Sequence, residues 1–192
     1  MKRSTGVLAL SAIAVAVLLP ASASGATKFG AELTKDVQPS NSTPAHPCKS
    51  EDRKCSRISL EAYSNPGGHK APKDGTIDKI RIIAGDQGSF RLQLAKARGH
   101  DLQAKATYLG EKLEYDGQPD PNSPYKIETF NVNVPVKKND HLGIVAKKTS
   151  MLRCDSGGEK QLIFQGPLDV GGPFEDADTV DGCWLLLEAV YE

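Results

Sequence analysis

The stretch Ala71-Pro-Lys-Asp-Gly-Thr-Ile-Asp-Lys-Ile-Arg-Ile-Ile83 decides how this chain folds. Pro72 fixes φ for a first bend, Asp74 can bond its own backbone, and Gly75 tolerates positive φ, so the opening of the stretch is a turn. A strand follows at once. Its Ile80 and Ile82 point to one face, and Lys79 and Arg81 to the other. Gly85-Asp86-Gln87-Gly88 turns the chain again. Residues 89–95 return with Phe90, Leu92 and Leu94 inward and Arg91 and Gln93 outward. The two runs read as a hairpin at the centre of a β-sandwich. In this register Ile80, Ile82, Phe90, Leu92 and Leu94 fill a core facing Phe130, Val132 and Leu186. Arg81 looks into water, so its loss should cost under ~0.5 kcal/mol.

Further strands flank this centre. Residues 29–37 are a first strand, and 56–63 alternate cleanly as a half-buried one. Residues 103–113 read as a strand bent near Gly110. Residues 125–134, 142–146 and 162–164 follow, and the nearly continuous apolar run 184–191 belongs in the middle of a sheet. Loops rich in Gly, Pro, Asn and Asp separate them, among them 38–47, Asn65-Pro66-Gly67-Gly68 and 116–124. Two more loops are a polar excursion over 147–160 and a long acidic loop over 166–181. Eight or nine short strands with no amphipathic helix predict an all-β, antiparallel sandwich or barrel.

The N-terminus has a different character. Lys2 and Arg3 precede an apolar run over 6–19, and Ala21-Ser22-Ala23 is a small-residue cleavage site. Residues 1–23 therefore read as a signal peptide and 24–192 as one β-sandwich domain. The apolar run is shorter than the ~20 residues of a membrane span, and no later segment approaches that length. The expectation is a secreted, extracellular protein with no membrane association after cleavage. The short Ala-rich leader has a bacterial character, in which case the sequon Asn41-Ser42-Thr43 carries no glycan.

Charge excludes some partners. The full chain balances 24 Lys and Arg against 24 Asp and Glu. Without the leader the net charge is about −2, which gives no long-range attraction to nucleic acid or an anionic membrane. Four cysteines, Cys48, Cys55, Cys154 and Cys183, in an oxidising compartment imply two disulfides. Of three pairings, proximity favours Cys48–Cys55 and Cys154–Cys183. Their spacing matches no zinc site.

Several segments in order resemble a group of uncharacterised secreted bacterial β-sandwich proteins. They are Phe29-Gly-Ala-Glu-Leu33, the Cys48…Cys55 pair, Ala71-Pro-Lys-Asp-Gly75 with its strand, and Ser89-Phe-Arg-Leu-Gln-Leu94. Val134-Pro-Val-Lys-Lys-Asn-Asp-His-Leu-Gly143 and Leu185-Leu-Leu-Glu-Ala-Val190 complete the set. The resemblance implies a jelly-roll-like sandwich and no established activity. The pair Cys154 and Cys183 departs from the group's pattern.

Catalytic signatures are absent from the sequence. His46, His69, His100 and His141 all fall in turns, with no second His at ligand spacing. There is no Gly-x-Ser-x-Gly elbow, phosphate-binding loop or His-Glu-x-x-His. Asp169, Glu175, Asp176, Asp178 and Asp181 crowd one loop, and Asp116, Asp120 and Asn122 another. Ca²⁺ takes six to eight oxygens from such loops, so the first five are calcium candidates, although they match no EF-hand. A glycoside hydrolase would need one of these acids buried with a raised pKa. Tyr108, Tyr115, Tyr125 and Phe174 could stack on sugars, whereas Trp184 reads as a core residue beside the Cys183 disulfide. The reading that results is a secreted, non-enzymatic β-sandwich that binds an extracellular ligand, carbohydrate among the candidates, or serves structurally. It expects no cofactor other than calcium. The alternatives are an extracellular polysaccharide or cell-wall hydrolase and a calcium-dependent adhesion module.

Overall fold

Alternating apolar runs broken by turn residues give strands throughout. The computed structural model describes residues 27–40, 53–65, 68–118, 124–154 and 158–191. They form thirteen strands and one short 3₁₀ turn. The strands are β1 (Thr27–Gly30), β2 (Cys55–Ser59), β3 (Gly75–Ile82), β4 (Gly88–Arg98), β5 (Gln103–Tyr115), β6 (Glu128–Val136) and β7 (His141–Ala146). The remainder are β8 (Leu152–Cys154), β9 (Gln161–Phe164), β10 (Glu175–Asp176), β11 (Thr179–Asp181), β12 (Cys183–Leu185) and β13 (Leu187–Tyr191). Thirteen replaces the expected eight or nine. β8, β10 and β11 are two or three residues long and lie in expected loops, where too few residues show a period for alternation to be read, and the expected single strand 184–191 divides at Leu186 into β12 and β13, which join different sheets. The leader 1–23, the sequon, His46, Cys48, the Pro66-Gly67 turn, Asp120 and Asn122 lie outside the described residues.

The strands make a four-stranded sheet ordered β1-β13-β3-β6, a seven-stranded sheet ordered β10-β5-β4-β7-β2-β9-β11, and the small pair β12-β8. All ladders between these strands are antiparallel. β3 and β4 are therefore not a hairpin. The chain leaves one sheet at Ile82 and enters the other at Gly88. The turn between them bonds to a distant segment instead of across itself: Gly85 N donates to Ser150 O at 3.2 Å and Asp86 N to Ser150 Oγ at 3.0 Å. The inward faces nevertheless meet. Ile80 and Ile82 from one sheet share a core with Phe90, Leu92 and Leu94 from the other. Phe130 and Val132 pack against it, the Phe130 ring edge-on to Phe90 at 6.1 Å. Leu186 does not face this core. It joins Ala31, Leu33, Val37, Ile83 and Tyr125 in a separate cluster.

The seven-stranded sheet curls into a half-barrel. β10 pairs with β5 near one end of the sheet order, and β11 pairs with β9 at the other. Only Ala177 and Asp178 separate β10 from β11. Ala177 N bonds Leu102 O, and Asp178 N bonds Ile163 O, each at 2.9 Å. Because a residue spans at most ~3.6 Å, the two edges must come close at this rim. Ala95, Ala104 and Ala106 form a second apolar cluster with Ile58, Leu162, Phe164 and Leu168, and Ala177 and Val180 of the closing segment pack on it. The acidic loop thus has a structural task that its composition conceals.

Two expectations about exposure change as a result. β2 is buried along its whole length rather than half-buried, since β7 and β9 flank it and its polar residues find internal partners. Ser56 Oγ accepts from Leu168 N at 2.9 Å. Gln93 points away from the shared core but is fully buried, because the chain at Leu168 crosses over it and its Nε2 donates to Leu168 O at 3.3 Å. The first strand is also shorter than expected. It ends at Gly30, whose φ of +98° only glycine adopts without strain.

Candidate functional site

The connection from β2 to β3 runs across the surface and gathers side chains from both ends of the chain. Leu60 N bonds Lys160 O at 2.8 Å, and Tyr63 O accepts from Glu32 N at 2.9 Å. Between these anchors the half-buried Tyr63 meets the half-buried Trp184 edge-on, with ring centroids 5.5 Å apart. The Arg153 guanidinium lies 5.8 Å from the Tyr63 centroid, and Lys160 Nζ lies 5.0 Å from that of Trp184. Lys160 also pairs with the Glu61 carboxylate.

The β8–β12 ladder sets this arrangement. Trp184 stands opposite Arg153, and the neighbouring pair is Cys183 opposite Cys154. The Cys154–Cys183 disulfide therefore locks the register that presents the Trp and Arg side chains together. This pairing was the expected one. Cys55 is also disulfide-bonded. Trp184 is not a core residue, since it is only half-buried. The expected stacking residues fare differently. Tyr115 and Tyr125 are buried, Tyr108 packs against the core, and Phe174 lies under the Arg98 guanidinium at 3.9 Å.

A groove of about 470 Å³ follows β1 and the residues just after it. Lys28, Glu32, Asn65 and Glu188 supply its polar lining. Asn65 Nδ2 donates to Gly30 O at 3.2 Å, which ties the connection to this edge of the sheet. Glu188 is almost fully buried and holds two cations, Arg81 in hydrogen-bond contact and Lys28 at 3.5 Å. Alternation alone places Arg81 on the water-facing side. Its partner lies far along the chain but directly opposite in the β3–β13 ladder.

The five calcium candidates do not converge. Asp176 Oδ1 accepts from Gln103 Nε2 at 2.8 Å, and Asp178 Oδ2 from Gln165 N at 2.8 Å. Asp181 is buried against Arg57 and also accepts from Cys183 N. Glu175 stands exposed on β10, and Asp169 precedes a turn at Gly172. Among the described residues no three His, Cys, Asp or Glu side chains come together as a metal-binding group. Asp116 uses its backbone N–H to reach Glu128.

One pairing escaped sequence spacing. His69 and His141, far apart in the chain, have ring centroids 5.4 Å apart. The isolated bridge Lys70↔His141 brings them together, and no local pattern announces it. Burial lowers the pKa of both. His141 falls to about 4, with His69, Lys70 and Lys96 pushing the same way against its bond to Ser59. His100 is exposed beside Asp101.

In comparisons with protein-family models, curated proteins and solved structures, none matches this chain.

Proposed function

We propose that the protein is a secreted, non-enzymatic binding module with a jelly-roll-like β-sandwich fold, of the kind the uncharacterised secreted bacterial group exemplifies. Its extracellular ligand belongs to the carbohydrates. The observation that carries this reading is the Tyr63–Trp184 pair, ringed by Arg153, Lys160 and Glu61. Half-buried Tyr and Trp offer an apolar ring face with a polar handle, which suits a surface that is apolar on one side and wet on the other. A sugar ring has that same mixed character. The surrounding guanidinium, ammonium and carboxylate can bond its hydroxyls, and the cations favour sugars bearing acidic groups. A core shared by two antiparallel sheets supports the sandwich, and the disulfide at the site supports an oxidising, extracellular setting.

The test uses Trp184 itself. It is the only tryptophan, so fluorescence excited selectively at tryptophan reports on this site. Titration with neutral and acidic cell-wall and plant oligosaccharides should give a saturable spectral shift for at least one class. Tyr63→Ala should weaken that binding about tenfold, from lost stacking area and ring contact. A flat fluorescence signal across the panel, or binding indifferent to Tyr63→Ala, would overturn the assignment. For secretion, N-terminal sequencing of protein from the culture medium should begin within a few residues of Ser24.

A further inference from the structure

His141 opens β7, is 3 % exposed, and has Nδ1 2.8 Å from the Ser59 carbonyl oxygen. A carbonyl only accepts, so Nδ1 carries the proton and donates. Nε2 then carries the lone pair that can accept or ligate. His69 is half-buried, yet its Nδ1 is shut off from water and has no hydrogen-bond partner among the described residues. A buried ring nitrogen left unpaired costs ~1–3 kcal/mol and calls for a partner.

The two rings stand 5.4 Å apart between centroids and are tilted by 48°. Two imidazoles bound to one cation through bonds of about 2.0–2.1 Å, at an angle near tetrahedral, have centroids about 5–5.5 Å apart. We propose that His69 and His141 together bind one imidazole-preferring divalent cation, Zn²⁺ or Cu²⁺, with water completing its coordination. Ser59 plays the outer part usual for a ligating histidine: its carbonyl takes the Nδ1 proton and turns Nε2 outward as the ligand. A ligating imidazole must be neutral, and burial disfavours the charged form of both rings. Lys70 and Lys96 raise the local potential and Glu61 lowers it. With imidazole nitrogens and no oxygen cage, the site disfavours hard ions such as Ca²⁺ and Mg²⁺. This site is independent of the carbohydrate reading, because neither ring belongs to the Tyr63–Trp184 pair.

Isothermal titration of the full chain, without an affinity tag, tests it at pH 7.5. Zn²⁺ should bind at one ion per chain and be removed by EDTA, while Ca²⁺ gives no heat. His69→Ala should weaken Zn²⁺ at least tenfold without lowering the melting temperature of the metal-free protein, because His69 Nδ1 has no hydrogen bond to lose. His141→Asn retains a donor for Ser59 O and should weaken Zn²⁺ to a similar extent. His100→Ala should bind as the parent does. No zinc binding by the parent chain overturns the proposal, as does equal affinity in His69→Ala.

Discussion

Arg57 Nη1 donates to Asp181 Oδ2 at 3.0 Å, with side chains only 6 % and 3 % exposed. The bond reaches across β9 and joins β2 to the strand that closes the half-barrel. Burial lowers the Arg57 pKa, and Asp181 opposes that effect. Removing Asp181 takes this carboxylate partner from the buried guanidinium. Asp181→Ala should therefore destabilise the protein by ~3–5 kcal/mol in urea unfolding. The double replacement Arg57→Met with Asp181→Leu should recover most of that loss, since a buried pair is often no more stable than apolar side chains of similar size. A double variant as unstable as the single one would show that the pair does more than satisfy itself.

Stability should fall on mild acidification. His141 has a folded pKa of about 4, below the ordinary ~6.5. A group depressed in this way binds its proton more readily in the unfolded chain. Its contribution is present above pH ~6.5 and is lost as pH falls towards 4, by up to ~3 kcal/mol. Burial is the main cause of the depression, the bond to Ser59 opposes it, and His69, Lys70 and Lys96 add to it. Chemical unfolding at pH 7 and at pH 4.5 should show the drop, and His141→Asn should flatten the profile. Equal pH dependence in that variant would place the effect elsewhere.

The register of β3 can be read from two neighbouring residues. Ile82 is wholly buried in the shared core, and Ile82→Ala should cost ~2–5 kcal/mol from lost transfer energy and the cavity left behind. Arg81 turns the other way but holds the buried Glu188 carboxylate, which would keep only the more exposed Lys28. Arg81→Ala should cost ~1–3 kcal/mol, more than a free surface arginine. Glu188→Gln with Arg81→Ala should cost less than the sum of the separate losses, which a double-mutant cycle measures.

The Cys154–Cys183 bridge closes a loop with a sequence separation of 29. Replacing both residues by Ser should lower stability by ~2–4 kcal/mol. It should also loosen the β8–β12 ladder, so Trp184 fluorescence should shift to the red at full folding. An unchanged spectrum would mean that Tyr63 alone positions the indole.

What the sequence determined by itself is which face of each longer strand is apolar. Period-two alternation set Ile80, Ile82, Phe90, Leu92 and Leu94 inward, and all five are buried in one core. The bend in β5 was legible too: β4 and β5 lose register opposite Gly110, between Arg91 and Gln93. The pairing of Cys154 with Cys183 followed from proximity. Tertiary structure decided the rest. Alternation marks an apolar face but not the neighbour across from it, so β3 and β4 could look like a hairpin while lying in different sheets. It cannot show a second covering layer, hence the burial of Gln93 and of all β2. The meetings of Arg57 with Asp181, Tyr63 with Trp184, and His69 with His141 join residues distant along the chain. Sheet closure and crossing loops bring such groups together, and local propensity carries no record of them.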